Sequence, residues 1–178
     1  MEHDPENIII VRVKNGATDE FEHLVRRYQG ALFRIVRNLV DGPQVEDVVQ
    51  DVFLAAFAGI QHFNPQRASF RTWIYRIARN HALNARKKKR EHLLDEVADI
   101  VDEHTPCHDL IVQQAFDRLD RTLNELRFKD RVIFVLSELE GLSYAEIAQI
   151  ENLPMGTVKS RLSRVKIKLR KVLYPYME

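Results

Sequence analysis

A single cysteine, Cys107, leaves no partner for an internal disulfide, so stability must come from packing, and the chain fits a reducing compartment. No apolar run approaches the roughly 20 residues needed to cross a bilayer. The N-terminus, Met1-Glu2-His3-Asp4-Pro5-Glu6, carries no signal-peptide pattern, and the expectation is a soluble, cytoplasmic protein. Alternation with period two is missing over any long stretch, which argues against strands. A glycine-rich phosphate cradle, paired carboxylates in an evident pocket and a closed His/Cys zinc spacing are all missing. An enzyme acting on nucleic acid is therefore a poor reading, and no cofactor is expected. His104, Cys107 and His108 crowd one segment but offer three ligands at most, so chance composition is the simpler account and no metal is assigned.

Charge of one sign is missing from two successive blocks. Residues 67–90 hold nine Lys/Arg and no acid, whereas residues 92–108 hold five acids and no Lys or Arg, beneath a net charge of only +1. No Lys or Arg lies between Arg37 and Arg67, an interval that contains Asp41, Glu46, Asp47 and Asp51. Such segregation implies separate surfaces for separate partners.

What is present is helical spacing almost throughout, so the expected fold class is all-α: two small helical domains joined by a flexible acidic linker. The boundaries read as 1–91, 92–108 and 109–178. A short helix covers residues 5–14. Thr18 caps a long one, with Phe21, Leu24, Val25, Tyr28, Leu32, Ile35, Val36 and Leu39 at three-and-four spacing. Pro43 opens a third helix to about Gly59, and Ser69 caps a fourth that ends in Arg86-Lys87-Lys88-Lys89-Arg90. Beyond the linker, Phe116, Leu119, Leu123 and Leu126 form one stripe, and a further helix over about 129–140 stops at Gly141.

The C-terminal residues read as a helix-turn-helix. Ser143 and Glu146 make a capping box for the first helix, Leu153-Pro154-Met155-Gly156 breaks the chain, and Thr157 begins the second helix. That second helix carries seven Lys/Arg and no acid as far as Leu173. A capped helix, a tight break and a basic helix place a recognition helix in a DNA major groove. Val158, Leu162, Val165, Leu169 and Val172 form its packing stripe. Lys159, Ser160, Ser163 and Arg164 face outward toward base edges or nearby phosphates, flanked by Arg161, and Arg164 suits a bidentate guanine contact. Lys166, Lys168, Arg170 and Lys171 suit backbone phosphates.

Two other faces stand out. At 100° per residue, Val45, Val48, Val49, Val52, Phe53 and Ala56 share the core side of the third helix, with Asp47, Gln50, Asp51 and Leu54 opposite. A leucine inside an outward acidic stripe suits docking of a basic protein partner, with an apolar centre and orienting charges. On the fourth helix Phe70, Ile74, Ile77 and Ala78 face one way, while Trp73, Arg76, Asn80, Asn84 and Lys87 share another side. An aromatic ring, amides and cations together suit single-stranded nucleic acid. His81 lies nearer the apolar side and reads as structural.

The order of these parts resembles bacterial sigma factors. Val45-Glu46-Asp47-Val48-Val49-Gln50-Asp51-Val52-Phe53-Leu54 and Phe70-Arg71-Thr72-Trp73-Ile74-Tyr75-Arg76-Ile77-Ala78-Arg79-Asn80 resemble region two. Gly141-Leu142-Ser143-Tyr144-Ala145-Glu146-Ile147-Ala148 and Pro154-Met155-Gly156-Thr157-Val158-Lys159-Ser160-Arg161 resemble region four. The size is similar to the compact extracytoplasmic-function group of the sigma-70 family. The resemblance implies that Asp47, Gln50, Asp51 and Leu54 dock on the clamp helices of the largest subunit of core RNA polymerase. It implies that Phe63, Asn64, Arg67, Ser69, Phe70, Trp73, Asn80 and Asn84, with Arg76 and Lys87 alongside, capture an unpaired base of the minus-ten element. The last helix, through Thr157, Lys159, Ser160, Arg161, Ser163, Arg164, Lys168 and Lys171, reads the minus-thirty-five element, with the flap of the second-largest subunit nearby. An anti-sigma factor, in some relatives a membrane protein that holds its partner at the inner membrane face, is the implied regulator, and the linker threads toward the polymerase channels. A Leu-Pro ordinarily opens region four; here Leu126 is followed by Arg127, so a different construction is expected there. The rival reading is a stand-alone helix-turn-helix regulator with a sensing N-terminal module, which leaves the Asp47 face and the Trp73 side without a role.

Overall fold

The computed structural model describes residues 5–40, 42–93 and 110–176, and among these there is no strand. Contacts divide the chain into two compact units, Met1–His92 and Leu93–Glu178. The acidic segment, with His104, Cys107 and His108, falls outside the described residues after its first two positions.

The first unit packs α1 (Pro5–Lys14), α2 (Phe21–Arg37), α3 (Val45–Gly59) and α4 (Phe70–Leu93). Leu24, Leu32, Ile35, Val36, Val52, Phe70 and Ile74 are buried at its centre. The long helix starts differently from the expectation. Thr18–Glu20 forms a 3-10 turn, Glu20 occupies the cap position of α2, and no side chain caps it. The third helix likewise begins at Val45, behind Gln44, rather than at Pro43. Ser69 does cap α4, its Oγ accepting from the Thr72 backbone N–H at 3.1 Å. Glu6 of α1 is buried, and its carboxylate accepts from the Tyr28 hydroxyl at 2.6 Å, with Arg27 at 3.4 Å. Burial, then the Glu6 hydrogen bond and charge, push the Tyr28 hydroxyl well above its ordinary pKa, so it remains a proton donor.

The second unit comprises α5 (Leu110–Asn124), α6 (Phe128–Phe134), α7 (Tyr144–Glu151) and α8 (Met155–Leu173). Ile133, Leu136, Ile147 and Leu162 are buried within it, and Leu123, Val165 and Leu169 join α5 to α8. Phe116 leaves the expected stripe: it is 54% exposed, while Leu119 and Leu126 pack on the α5–α8 cluster. The helix expected over 129–140 becomes α6 plus a π-helical turn, Val135–Leu139, with the Glu140 N–H reaching back to the Val135 carbonyl at 3.3 Å. The looser turn ends at Gly141, whose φ of +64° is accessible to glycine at little cost. Arg127 lies ahead of α6 at φ −59° and ψ 139°, the conformation proline favours, so arginine opens this helix with the same backbone geometry.

Candidate nucleic-acid interface

Helix α3 divides as its spacing requires. Val48, Val49, Val52 and Ala56 are buried, while Asp47, Gln50 and Asp51 are exposed and Leu54 is 59% exposed. Glu46 and Asp47 also sit in the first turn, where the helix dipole favours negative charge. Sequence reading missed the neighbouring groove. Phe21, Val25, Phe33, Phe53, Leu54 and Phe57 line an apolar trough of about 470 Å³ between α2 and α3. Phe53, expected in the core, is only half-buried and belongs to this trough. A signal for it existed: Gln50, Leu54 and Phe57 follow at four and three residues, continuing one helical face.

The loop at residues 63–69 and α4 form the second candidate surface. Phe63 and Phe70, expected in or beside the pocket for a captured base, are 4% and 1% exposed. They are core rings, and Trp73 packs on them with centroid distances of 5.2 and 5.4 Å. Gly59 lies against the indole, where a Cβ would stand 3.4 Å from Cζ2, at ordinary van der Waals contact. Trp73 itself is half-buried and keeps part of its ring accessible. The loop shapes itself through local bonds: Asn64 Oδ1 accepts from the Gln66 N–H at 2.9 Å, and the Arg67 N–H donates to the Asn64 carbonyl at 3.1 Å. Asn64, Arg67 and Ser69 are exposed, but the Ser69 hydroxyl is engaged in the α4 cap and lies 2.9 Å from Thr72 Oγ1. Arg76, Asn80, Asn84 and Lys87 are all exposed along one side of α4. Tyr75 and Thr72, which sequence reading gave no role, are buried.

In the C-terminal unit the capping box is present: Ser143 Oγ accepts from the Glu146 N–H at 3.3 Å, and the Glu146 carboxylate accepts from the Ser143 N–H at 2.9 Å. Asn152, at φ +51°, closes α7, and Pro154 takes the extended cap position of α8. Met155 and Gly156, expected in the break, are the first residues of α8. Val158, Leu162, Val165 and Leu169 are buried, which turns Lys159, Ser160, Ser163 and Arg164 outward. Arg164 Nε lies 3.3 Å from the Ser160 carbonyl, and Ser160 Oγ donates to Thr157 at 3.0 Å, so the outward face is held locally.

Three cations of α8 form ion pairs within the unit. Arg161, with a side chain 27% exposed, donates through Nη1 to Asp130 at 2.9 Å and ties α8 to α6. Lys168 pairs with Glu125 at 3.0 Å, and Lys166 with Glu138 at 2.9 Å. Slight burial works to raise the Glu138 pKa, but hydrogen bonds from Lys166 and Ser137 and the Lys166 charge outweigh it and hold the carboxyl below its ordinary value. The acids come from the turn after α5, from α6 and from the π turn, which no single-helix projection of α8 includes. Lys171 is exposed and Thr157 half-buried.

Among known proteins, residues 24–92 match the family Sigma-70 region 2, and residues 116–169 match Sigma-70, region 4. The extracytoplasmic-function (ECF) RNA polymerase sigma-E factor of Haemophilus influenzae is 33% identical over 95% of this chain and 95% of its own. The ECF sigma factor SigW of Bacillus subtilis is 33% identical over 92% of this chain and 94% of its own. The sigma factor RpoE of Bartonella quintana, crystallised with the anti-sigma factor NepR, superposes with a TM-score of 0.73 at 25% identity, over 87% of this chain and 97% of that one.

Proposed function

The chain belongs to the ECF sigma factors of the sigma-70 family, and from that membership we propose how its surfaces divide the work of promoter selection. The protein is a specificity subunit that binds core RNA polymerase and promoter DNA. The α3 face, Asp47, Gln50, Asp51 and Leu54, meets the clamp helices of the largest subunit. The loop at 63–69 and the outer side of α4 hold an unpaired minus-ten base: Asn64, Arg67, Asn80 and Asn84 supply polar and charged contacts, the accessible part of Trp73 supplies aromatic surface, and Arg76 and Lys87 attract phosphate. Lys159, Ser160, Ser163 and Arg164 read the minus-thirty-five duplex, while Arg161 holds α8 in place through Asp130. Extruding a base costs a few kcal/mol, which a fitting pocket offsets only at matching sequences, so selectivity arises at both elements.

The observation that carries this reading is the coexistence, in one chain, of an exposed leucine within the acidic α3 stripe and a capped helix-turn-helix with an acid-free outward helix. A stand-alone regulator has use for the second alone. The Bartonella relative is crystallised with an anti-sigma factor, and we extend that control to this chain, with the apolar trough beside Leu54 as the face an inhibitor covers. No helix among the described residues is long and apolar enough to cross a membrane, and a cytoplasmic location follows from the polymerase partner. Promoter-specific run-off transcription with purified core polymerase tests the assignment: the chain alone supports initiation, and failure without a second sigma factor overturns it.

Arg164 allows a narrower test. Arg164→Ala is expected to lose about 1–3 kcal/mol of discrimination between matched and altered distal elements, because a bidentate guanine contact disappears. Binding measured against a panel of single-base duplexes checks this, and a flat panel moves the base-reading role to another residue.

A further inference from the structure

Helix α1 has no part in the surfaces above, yet its last residue reaches the loop that begins the single-strand site. Lys14 Nζ donates to the Phe63 carbonyl at 2.6 Å and lies 5.9 Å from the Phe63 ring centroid. A return bond runs the other way, from Gln61 Nε2 to the Lys14 carbonyl at 3.0 Å. Each side chain thus satisfies a backbone carbonyl of the other segment, and Gln61 serves one of the acceptors a helix end leaves open. Phe63, at φ −63° and ψ 132°, is where the chain leaves the 3-10 turn Ile60–His62 and becomes extended. Its ring backs Trp73 at 5.2 Å.

Resting on the reading of residues 63–69 and α4 as the base-capture site, we propose that Lys14, with Gln61, is a positioning residue for single-strand capture. The bonds of Asn64, Gln66, Arg67 and Ser69 are local and set the shape of the loop. The Lys14–Gln61 pair fixes where that shape sits, by anchoring its first residue to another helix. A charge-assisted bond to a carbonyl resists displacement better than a neutral one, and a base pocket placed before the strand arrives spends less of its binding energy on ordering.

The test uses holoenzyme assembled on purified core polymerase and a fluorescent non-template oligonucleotide carrying the minus-ten element of a promoter it transcribes. K14M is expected to hold the oligonucleotide about tenfold more weakly and to discriminate less between matched and altered bases. Affinity for core polymerase and for the distal duplex stays at the wild-type value, and K14R, which still donates to the carbonyl, restores most of the loss. Q61A breaks the return bond without removing charge and is expected to weaken capture about threefold. In the free protein, before core polymerase is added, the emission of Trp73, the chain's one tryptophan, shifts in both K14M and Q61A as its backing ring is released. Equal capture and discrimination by wild type, K14M and Q61A overturns the inference while the site stands; so does a lowered Tm with capture unchanged. A wild-type holoenzyme that ignores the oligonucleotide overturns the site reading, and the inference with it.

Discussion

Asp51→Arg combined with Leu54→Arg should weaken binding to core polymerase about a hundredfold, near 3 kcal/mol, while the helix content measured by circular dichroism stays as it was. The two changes act through different physics. Leu54 is 59% exposed, so in the free protein its apolar surface is in water, and docking through the proposed face would remove it. Arginine there brings a charge into the centre of the interface, where an unpaired ion is costly. Asp51 is exposed one residue before the buried Val52 and contributes sign rather than shape; reversing it turns attraction to a basic surface into repulsion. Neither change threatens α3, because Val48, Val49, Val52 and Ala56 hold it to the core and arginine is a good helix former. Fluorescence titration of labelled protein against core polymerase reads the effect. An unchanged Kd removes this face from the account. Selective loss of anti-sigma binding with core binding intact assigns the face to the inhibitor instead.

How far the sequence could be read depended on the range of the interaction. The helix-turn-helix was legible because its signals are local: Ser143 and Glu146 are three residues apart, Pro154 directly precedes α8, and the valines and leucines of α8 repeat at helical spacing. The outer face of α3 was legible for the same reason. Contacts spanning many residues were not. Arg161 and Asp130, Lys168 and Glu125, and Lys14 and Phe63 lie 31, 43 and 49 residues apart, and a helical projection of one element contains only one partner of each pair. Phe63 and Phe70 illustrate a second limit. An aromatic ring suits base stacking and core packing equally, and what decides is the presence of other rings: Tyr28 and Phe63 each lie 5.5 Å from Phe70. Phe116 failed in the opposite sense: it has helical spacing with Leu119 and Leu123 yet is 54% exposed, while those two leucines join the cluster with Val165 and Leu169 of α8.

Phe70→Ala should cost about 3–5 kcal/mol, the largest stability loss expected from one substitution in the first unit. The ring is 1% exposed and meets Tyr28, Phe63 and Trp73 at centroid distances of 5.4 to 5.5 Å. Removing it leaves a cavity bordered by three rings, and the aromatic pairings are lost along with the buried area. Domains of this size have about 5–15 kcal/mol in total, so a large share of the margin disappears. Thermal unfolding followed through Trp73 should move down by more than about 10 °C, and because the reporter sits on the cavity its emission changes before the midpoint as well. Core binding and single-strand capture should fail together, since α3, the loop at 63–69 and α4 share one core. Duplex binding by α8 should survive, because Ile133, Leu136, Ile147 and Leu162 form a core of their own. Parallel loss of duplex binding at the same temperature would mean that the two units unfold as one cooperative block, and the division of labour between them would then rest on docking surfaces alone rather than on independently folded parts.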